Sequence, residues 1–212
     1  MIRYENISVT FRGEDLFGNL NLEIPGNSKT LITGKSGYGK STLFSILLGF
    51  FFPQKGKVYF NNRPITPESA WNVRTEIAYV DQEASLGQGK VSEWFAFVAS
   101  LKANRALNFS KKNILEKFSL FDLPEEIYDE DIAQISGGEK QRLALVTAVL
   151  LKRKVFLLDE PTAALDEKLK GKVIDYFMNL NDVTVVVVSH DEIWKKPKNI
   201  KIYDMERKQW VR

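Results

Sequence analysis

The amino-acid sequence predicts an α/β fold on a mostly parallel sheet, and three observations carry that reading. Two nearly continuous apolar runs, Val155 to Leu158 and Val183 to Val188, are joined by a helical stretch from Lys168 to Leu180. Strands that apolar, linked through a helix, are what a parallel sheet covered on both faces requires. A glycine-rich stretch, 34 to 39, follows the apolar run Thr30 to Thr33 and opens an apolar-faced helix from about Lys40 to Gly49. Between about Ala84 and Gln134 the pattern turns helical, with no Pro/Ser-rich linker or repeat on either side, so residues 84–134 are expected to be a helical insertion within one domain spanning 1–212.

The opening 33 residues read as short strands. Met1 to Ile7 alternates polar and apolar residues and lacks the basic head and apolar run of a secretory signal. Ile7, Val9 and Phe11 alternate, as do Leu20, Leu22 and Ile24, before the turn Pro25-Gly26-Asn27. Further strands are expected at Lys57 to Phe60, ahead of an Asn61-Asn62 turn, and at Ile77 to Val80. In the insertion, Trp94, Phe95, Val98 and Leu101 stand near helical spacing, and Ile114, Leu115, Phe118 and Phe121 repeat it. A helix from Gly137 to about Leu151 then precedes the two buried strands.

Bulk properties narrow the function classes. A chain of 212 residues, 44% hydrophobic, supports one substantial core. Its 30 basic and 27 acidic residues leave a net charge of +3 with no long basic tract, so no nucleic-acid partner is expected. The absence of cysteine excludes disulfides, cysteine metal sites and thiol catalysis. The longest apolar stretches, Ile46 to Phe52 and Val183 to Val188, fall well short of the roughly 20 residues a membrane-spanning helix needs.

Three segments carry chemistry. Gly34-Lys35-Ser36-Gly37-Tyr38-Gly39-Lys40-Ser41, followed by Thr42, fits the phosphate-binding pattern G-x-x-x-x-G-K-[ST] between a strand and a helix. Glycines let backbone N–H groups turn inward around phosphates, and the helix start adds the positive end of its dipole. Lys40 is expected to reach the β- and γ-phosphates of ATP and Ser41 to ligate Mg2+. Val155 to Glu160 is an apolar strand ending in two carboxylates, of which Asp159 is expected to hold the metal through water and Glu160 to polarise the attacking water. Alone, the pair would fit an acidic helix start before Pro161-Thr162 equally well. Ser136-Gly137-Gly138-Glu139 is a capping box at the start of an amphipathic helix. Capping does not account for two glycines, which cost helix propensity; the expected compensation is close approach of an anion to the exposed N–H groups, in a site completed by another molecule.

The ordered set of residues 34 to 41, Gln82, Ile135 to Arg142, Leu157 to Thr162, Ala164-Leu165-Asp166 and Ser189-His190-Asp191 resembles the nucleotide-binding domain of ABC transporter ATPases over nearly the whole chain. That resemblance implies a RecA-like P-loop NTPase with an antiparallel β subdomain and an inserted helical subdomain. It also implies that Phe11 stacks on adenine, Gln82 senses the γ-phosphate and magnesium, His190 contacts the γ-phosphate, and Asp166 communicates between two subunits. Ser136, Gly137 and Gly138 would meet the partner's nucleotide in trans. Taken singly, Phe11 would fit strand packing and His190 a packed position after a buried strand. The implied partners are a second ATPase subunit, identical or related, and an integral membrane permease, which places the chain at the cytoplasmic face of the cell membrane as a peripheral subunit. Trp94, Phe95 and Val98, just after Gln82, are expected beside a groove that receives a cytoplasmic helix of that permease. An aromatic cluster there fits internal packing as well.

Some positions depart from the family pattern. Lys35 and Tyr38 fill variable loop positions, and Asp81 precedes Gln82 where proline is common. After His190 the chain is short and irregular through Trp194 to Lys198, so an attached regulatory domain is not expected. A soluble ABC ATPase acting on DNA or ribosomes is the alternative reading, although the roughly 90 residues between Ser41 and Ser136 show no sustained heptad. A small kinase would share the phosphate loop but give no reason for Ser136-Gly137-Gly138. The segments Leu31 to Gly34 and Leu115 to Phe118 are similar to ATPases paired with iron-export permeases.

Overall fold

The computed structural model describes residues 1–11 and 14–212, with the backbone alone at Phe11 and Glu14. β1 (Ile2–Phe11) and β2 (Glu14–Ile24) form an antiparallel pair, after which β3 (Lys29–Thr33) leads through the glycine loop into α1 (Lys40–Leu47). β4 (Lys55–Phe60) pairs antiparallel with β1, and β5 (Arg63–Pro64) extends that edge before α2 (Pro67–Glu76) runs into β6 (Ile77–Val80). Then come α3 (Val91–Ser100), α4 (Lys111–Phe118) and α5 (Gly137–Leu150), with short 3-10 turns between them. The chain closes with β7 (Val155–Asp159), α6 (Glu167–Met178), β8 (Thr184–Val188), β9 (Ile200–Asp204) and β10 (Gln209–Trp210).

Two sheets result. The first, in the order β2-β1-β4-β5, is antiparallel. The second runs β10-β9-β3-β8-β7-β6 and is parallel apart from the β10 edge. Alternate residues of the parallel strands feed two separate cores. Leu158, Val185 and Val187 face Phe95, Phe118, Leu143 and Phe177 of the helices. Leu157, Val186 and Val188 face Leu43 and Phe44 of α1 and Ile7 and Leu20 of the antiparallel sheet. Burial on both faces is why β7 and β8 read as unbroken apolar runs. Pairing of Ile32 and of Asp159 with Val188 brings the carboxyl ends of β3, β7 and β8 to one edge. In parallel α/β sheets that is where ligands bind.

α2 and β9 lie outside the sequence expectation, as do the two-residue strands β5 and β10. α2 buries only Ala70 and Val73, too thin a stripe for periodicity to reveal; its signal is local, Thr66 as N-cap with Pro67 at the first turn. β9 buries Ile200, Ile202 and Tyr203 beside β3, just after the Trp194 to Lys198 stretch expected to be irregular. At Trp94, Phe95 and Val98 the structure shows internal packing, the alternative reading of that aromatic cluster. Phe95 and Val98 are buried in the helical core, and the half-buried Trp94 donates its indole N–H to Thr147 Oγ1 at 3.1 Å. The outward apolar residues are Phe97 and Leu101, 57% and 42% exposed. Among the described residues no helix is long and apolar enough to cross a membrane.

Candidate functional site

The glycine loop wraps the mouth of a cavity of about 730 Å³ at the strand ends. Gly34, Lys35, Ser36, Gly37, Gly39, Lys40, Ser41 and Thr42 line it, whereas Tyr38 points away and is exposed. Gly39 must be glycine. It sits at φ 79°, and a built Cβ would stand 2.7 Å from both Leu16 Cδ2 and Phe17 Cε1. α1 starts there without a side-chain cap or an acidic residue in its first turn, so its N–H groups and dipole stay available to an anion. The buried Lys40 ammonium donates to Gly34 O at 2.8 Å and Lys35 O at 2.9 Å, which folds it back over the loop. From outside, Glu206 accepts from Lys35 N at 2.9 Å, fastening the loop to the β9–β10 turn.

Opposite the loop stand the carboxylates of β7. Asp159 Oδ1 is buried, with no hydrogen-bond partner among the described residues. Burial raises the Asp159 pKa, the nearby Ser41 hydroxyl and Lys40 oppose that shift, and the Glu160 and Asp81 carboxylates add to it. Ser41 and Gln82 line the same cavity. Mg2+ fits such a donor set: a hard cation takes hydroxyl, amide and carboxylate oxygens, and it keeps several waters and substrate phosphate oxygens rather than a full protein cage. Among the described residues no group of three or more His, Asp or Glu forms such a cage.

Glu160 occupies the left-handed region at φ 45°, a conformation that costs a non-glycine residue about 1–2 kcal/mol. Its surroundings hold it there. Glu160 N donates to Val188 O at 2.8 Å, while the carboxylate accepts from Ser189 Oγ at 2.9 Å and from His190 N at 3.2 Å. His190 Nδ1 lies 2.8 Å from Glu160 Oε1, so with an ionised Glu160 this nitrogen carries the proton and Nε2 is the ring's free acceptor. Glu160 and His190 both line the cavity. A buried carboxylate with a fixed direction, across from a phosphate loop, can accept a proton from a water placed between them.

The remaining expected residues lie elsewhere. Ser136 and Gly137 are exposed, and neither they nor Gly138 line the cavity. The capping box is formed: Ser136 Oγ accepts from Glu139 N at 3.3 Å, and Glu139 Oε2 accepts from Ser136 N at 2.8 Å. One of the two glycines has a reason within the chain, since a Cβ on Gly138 would stand 2.9 Å from Ala164 O; a Cβ on Gly137 would meet nothing within 4 Å. Anion approach is therefore needed to explain Gly137 alone. Asp166 lies outside the cavity and caps α6 by accepting from Leu169 N at 2.9 Å. The Phe11 side chain falls outside the described residues. Sequence reasoning missed Val9, Leu16 and Phe51, which give the cavity an apolar wall and belong to no motif. Gln141 falls within the matched segment Ile135 to Arg142 but was assigned no role; it is a buried polar side chain between α5 and the segment after β7.

Comparison with known proteins agrees with this geometry. The ABC transporter family model matches residues 17–163. The chain is 36% identical over 194 residues to the probable sulfate/thiosulfate import ATP-binding protein CysA of Chlorella vulgaris, covering 90% of this chain and 80% of that protein. It is 30% identical over 195 residues to the probable iron export ATP-binding protein FetA of Escherichia coli (strain K12), covering 91% and 85%. Against several fungal and rickettsial transporters it spans only 15% to 33% of their length. A dimeric post-hydrolysis structure of the ATP-binding cassette MJ0796, bound to ADP and Pi, superposes with a TM-score of 0.84 at 27% identity, covering 100% of this chain and 97% of that one. With the phosphate loop, the carboxylate pair and the capped glycine helix start all in place, the chain belongs to the ABC transporter ATP-binding family.

Proposed function

We propose that this chain is the ATP-hydrolysing subunit of an ABC transporter, a single ABC ATPase domain with residues 84–134 as its helical insertion. Two copies, or one copy and a related subunit, close around two Mg-ATP and drive a separate integral membrane permease from the cytoplasmic face of the membrane. One observation carries the two-subunit reading. The cavity gathers the phosphate loop, Asp159, Glu160 and His190, while the exposed helix start at Ser136 to Gly138 lies outside it in the same chain. Its free N–H groups can therefore reach a nucleotide only on another molecule.

Within one subunit, the loop N–H groups and Lys40 hold the β- and γ-phosphates. Ser41, Gln82 and Asp159 hold Mg2+, which when bound offsets charge on the phosphate oxygens. Glu160 draws a proton from the attacking water, and His190, with Nδ1 committed to Glu160, offers Nε2 to the γ-phosphate. Asp166 lies next to the partner, and the adenine rests near Phe11 and the apolar wall. Extensive mutual coverage with both an import and an export ATP-binding protein supports a permease on a separate chain that sets substrate and direction. Phe97 and Leu101 replace Phe95 and Val98 as the surface where a cytoplasmic helix of that permease docks.

Light scattering on Glu160→Gln with Mg-ATP tests the reading. The variant should bind ATP, hydrolyse it about 10²- to 10⁴-fold more slowly, as loss of a general base implies, and accumulate as a dimer. Adding Ser136→Arg should return it to monomer with ATP still bound, and Lys40→Ala should abolish tight ATP binding altogether. A monomeric Glu160→Gln under conditions where ATP is demonstrably bound would refute the two-subunit mechanism.

A further inference from the structure

Gln141 is 2% exposed, yet it lies on the same first turns of α5 whose start is open to solvent. Both halves of its amide are used on main chain after β7. Nε2 donates to Glu160 O at 2.8 Å, and Oε1 accepts from Ala164 N at 3.0 Å. The contact is reinforced one turn earlier, where Gly138 lies against Ala164 O too closely for any Cβ. Glu160 O also accepts from Ala163 N at 3.2 Å, so the segment 160–164 is a tight turn with Gln141 bonded across it. Asp166 follows two residues later as the cap of α6.

We infer that Gln141 is a positioning residue: it ties the helix start that meets the partner's nucleotide to the backbone that aims the Glu160 carboxylate. The inference deepens the two-subunit reading and rests on it. A turn carrying a non-glycine residue at φ 45° keeps its shape only where its neighbours hold it. Gln141 is the side chain that holds it from α5. The task requires a donor and an acceptor about one amide apart, on a side chain long enough to cross from helix to turn. Glutamate keeps the acceptor but, when ionised, turns a negative oxygen toward the Glu160 carbonyl. Leucine keeps the bulk and neither bond; asparagine is a methylene too short. An anion arriving at the α5 start from the partner thereby acts on Glu160 through one residue, with no contact to the Glu160 side chain.

The test is a double-mutant cycle on the purified chain, with phosphate release and ATP affinity measured for Gln141→Leu, Gln141→Glu, Glu160→Gln and both Gln141 variants combined with Glu160→Gln. If Gln141 acts by placing Glu160, Gln141→Leu and Gln141→Glu each lower kcat about tenfold or more and leave ATP affinity within about twofold of the parent. Neither then lowers the residual rate of Glu160→Gln further, because that carboxylate is already gone. Retained ATP affinity together with a parent-like urea unfolding midpoint in each variant guards against an effect of simple misfolding. Unchanged kcat in both variants overturns the inference, as do rate losses that multiply with that of Glu160→Gln, or ATP affinity and kcat falling together. Unimpaired turnover by Glu160→Gln alone would instead remove the role of Glu160, and this inference with it.

Discussion

Asp159→Asn is expected to strengthen the nucleotide-free fold while disabling the site. The Asp159 carboxylate is buried, one of its oxygens has no hydrogen-bond partner among the described residues, and Glu160 and Asp81 add negative charge close by, opposed by Lys40. A buried polar atom left unsatisfied costs about 1–3 kcal/mol. Asparagine leaves that atom unsatisfied but removes the buried charge and its repulsion from Glu160 and Asp81, at the loss of some attraction to Lys40 and Ser41, so the net gain should be about 1–2 kcal/mol. For a chain of 212 residues this corresponds to a rise in Tm of about 2–8 °C. The assay is thermal unfolding in chelator without nucleotide, repeated with ATP plus chelator and with Mg-ATP. Saturation at a hundredfold excess over Kd adds about 2.7 kcal/mol, so binding is readily seen. Wild type should gain more from Mg-ATP than from ATP alone, and Asp159→Asn should gain equally from both. A lower Tm than wild type in chelator would refute the burial argument; an intact magnesium increment would refute the assignment of Asp159 to the metal.

Two further predictions concern the framework of the site. Trp194 is fully buried and its indole N–H donates to the buried Thr162 Oγ1 at 3.0 Å, so Trp194→Phe should destabilise by about 2–4 kcal/mol in urea unfolding, with partial recovery on adding Thr162→Val. A loss under about 0.5 kcal/mol would show that the contact carries little, since even ordinary surface changes reach that size. The Ser136 hydroxyl and then its backbone N–H hold the Glu139 carboxyl below the usual glutamate range. A depressed folded pKa gives a stabilising contribution that is present above the unfolded value and lost as pH falls through the folded one. Glu139→Gln keeps the cap and should flatten that acid limb in pH-dependent melts; an unchanged acid slope would contradict it.

What could be read in the chain follows from how each signal is written. β7, β8 and the glycine loop were legible because burial on two faces and phosphate binding impose contiguous residues. The inward face of α3 was not, since the helix carries two apolar stripes. Val91, Phe95 and Val98 share one face and Trp94, Phe97 and Leu101 the other, and spacing alone does not say which faces the core. The burial of Gln141 was invisible for the opposite reason, since it is a polar residue among polar neighbours whose burial depends on a turn 19 residues away. Val9, Leu16 and Phe51 come from three separate segments and converge only through the antiparallel sheet and the end of α1. In the site itself, position was predictable where a motif joins strand and helix, and partnership was not.

The folded-back ammonium of Lys40 has a kinetic consequence. Of its three N–H donors, two already rest on Gly34 O and Lys35 O, and among the described residues the third meets no acceptor. A phosphate oxygen can be met by that third donor without first breaking the other two, and the α1 N–H groups beside it already point outward. The receptor surface is thus assembled before the encounter, so little ordering entropy is left to lose on arrival. Capture should be governed by collision and charge, common to every nucleotide that carries phosphates. Nucleotides with different numbers of phosphates would then differ chiefly in residence time, through the contacts that must be broken to leave.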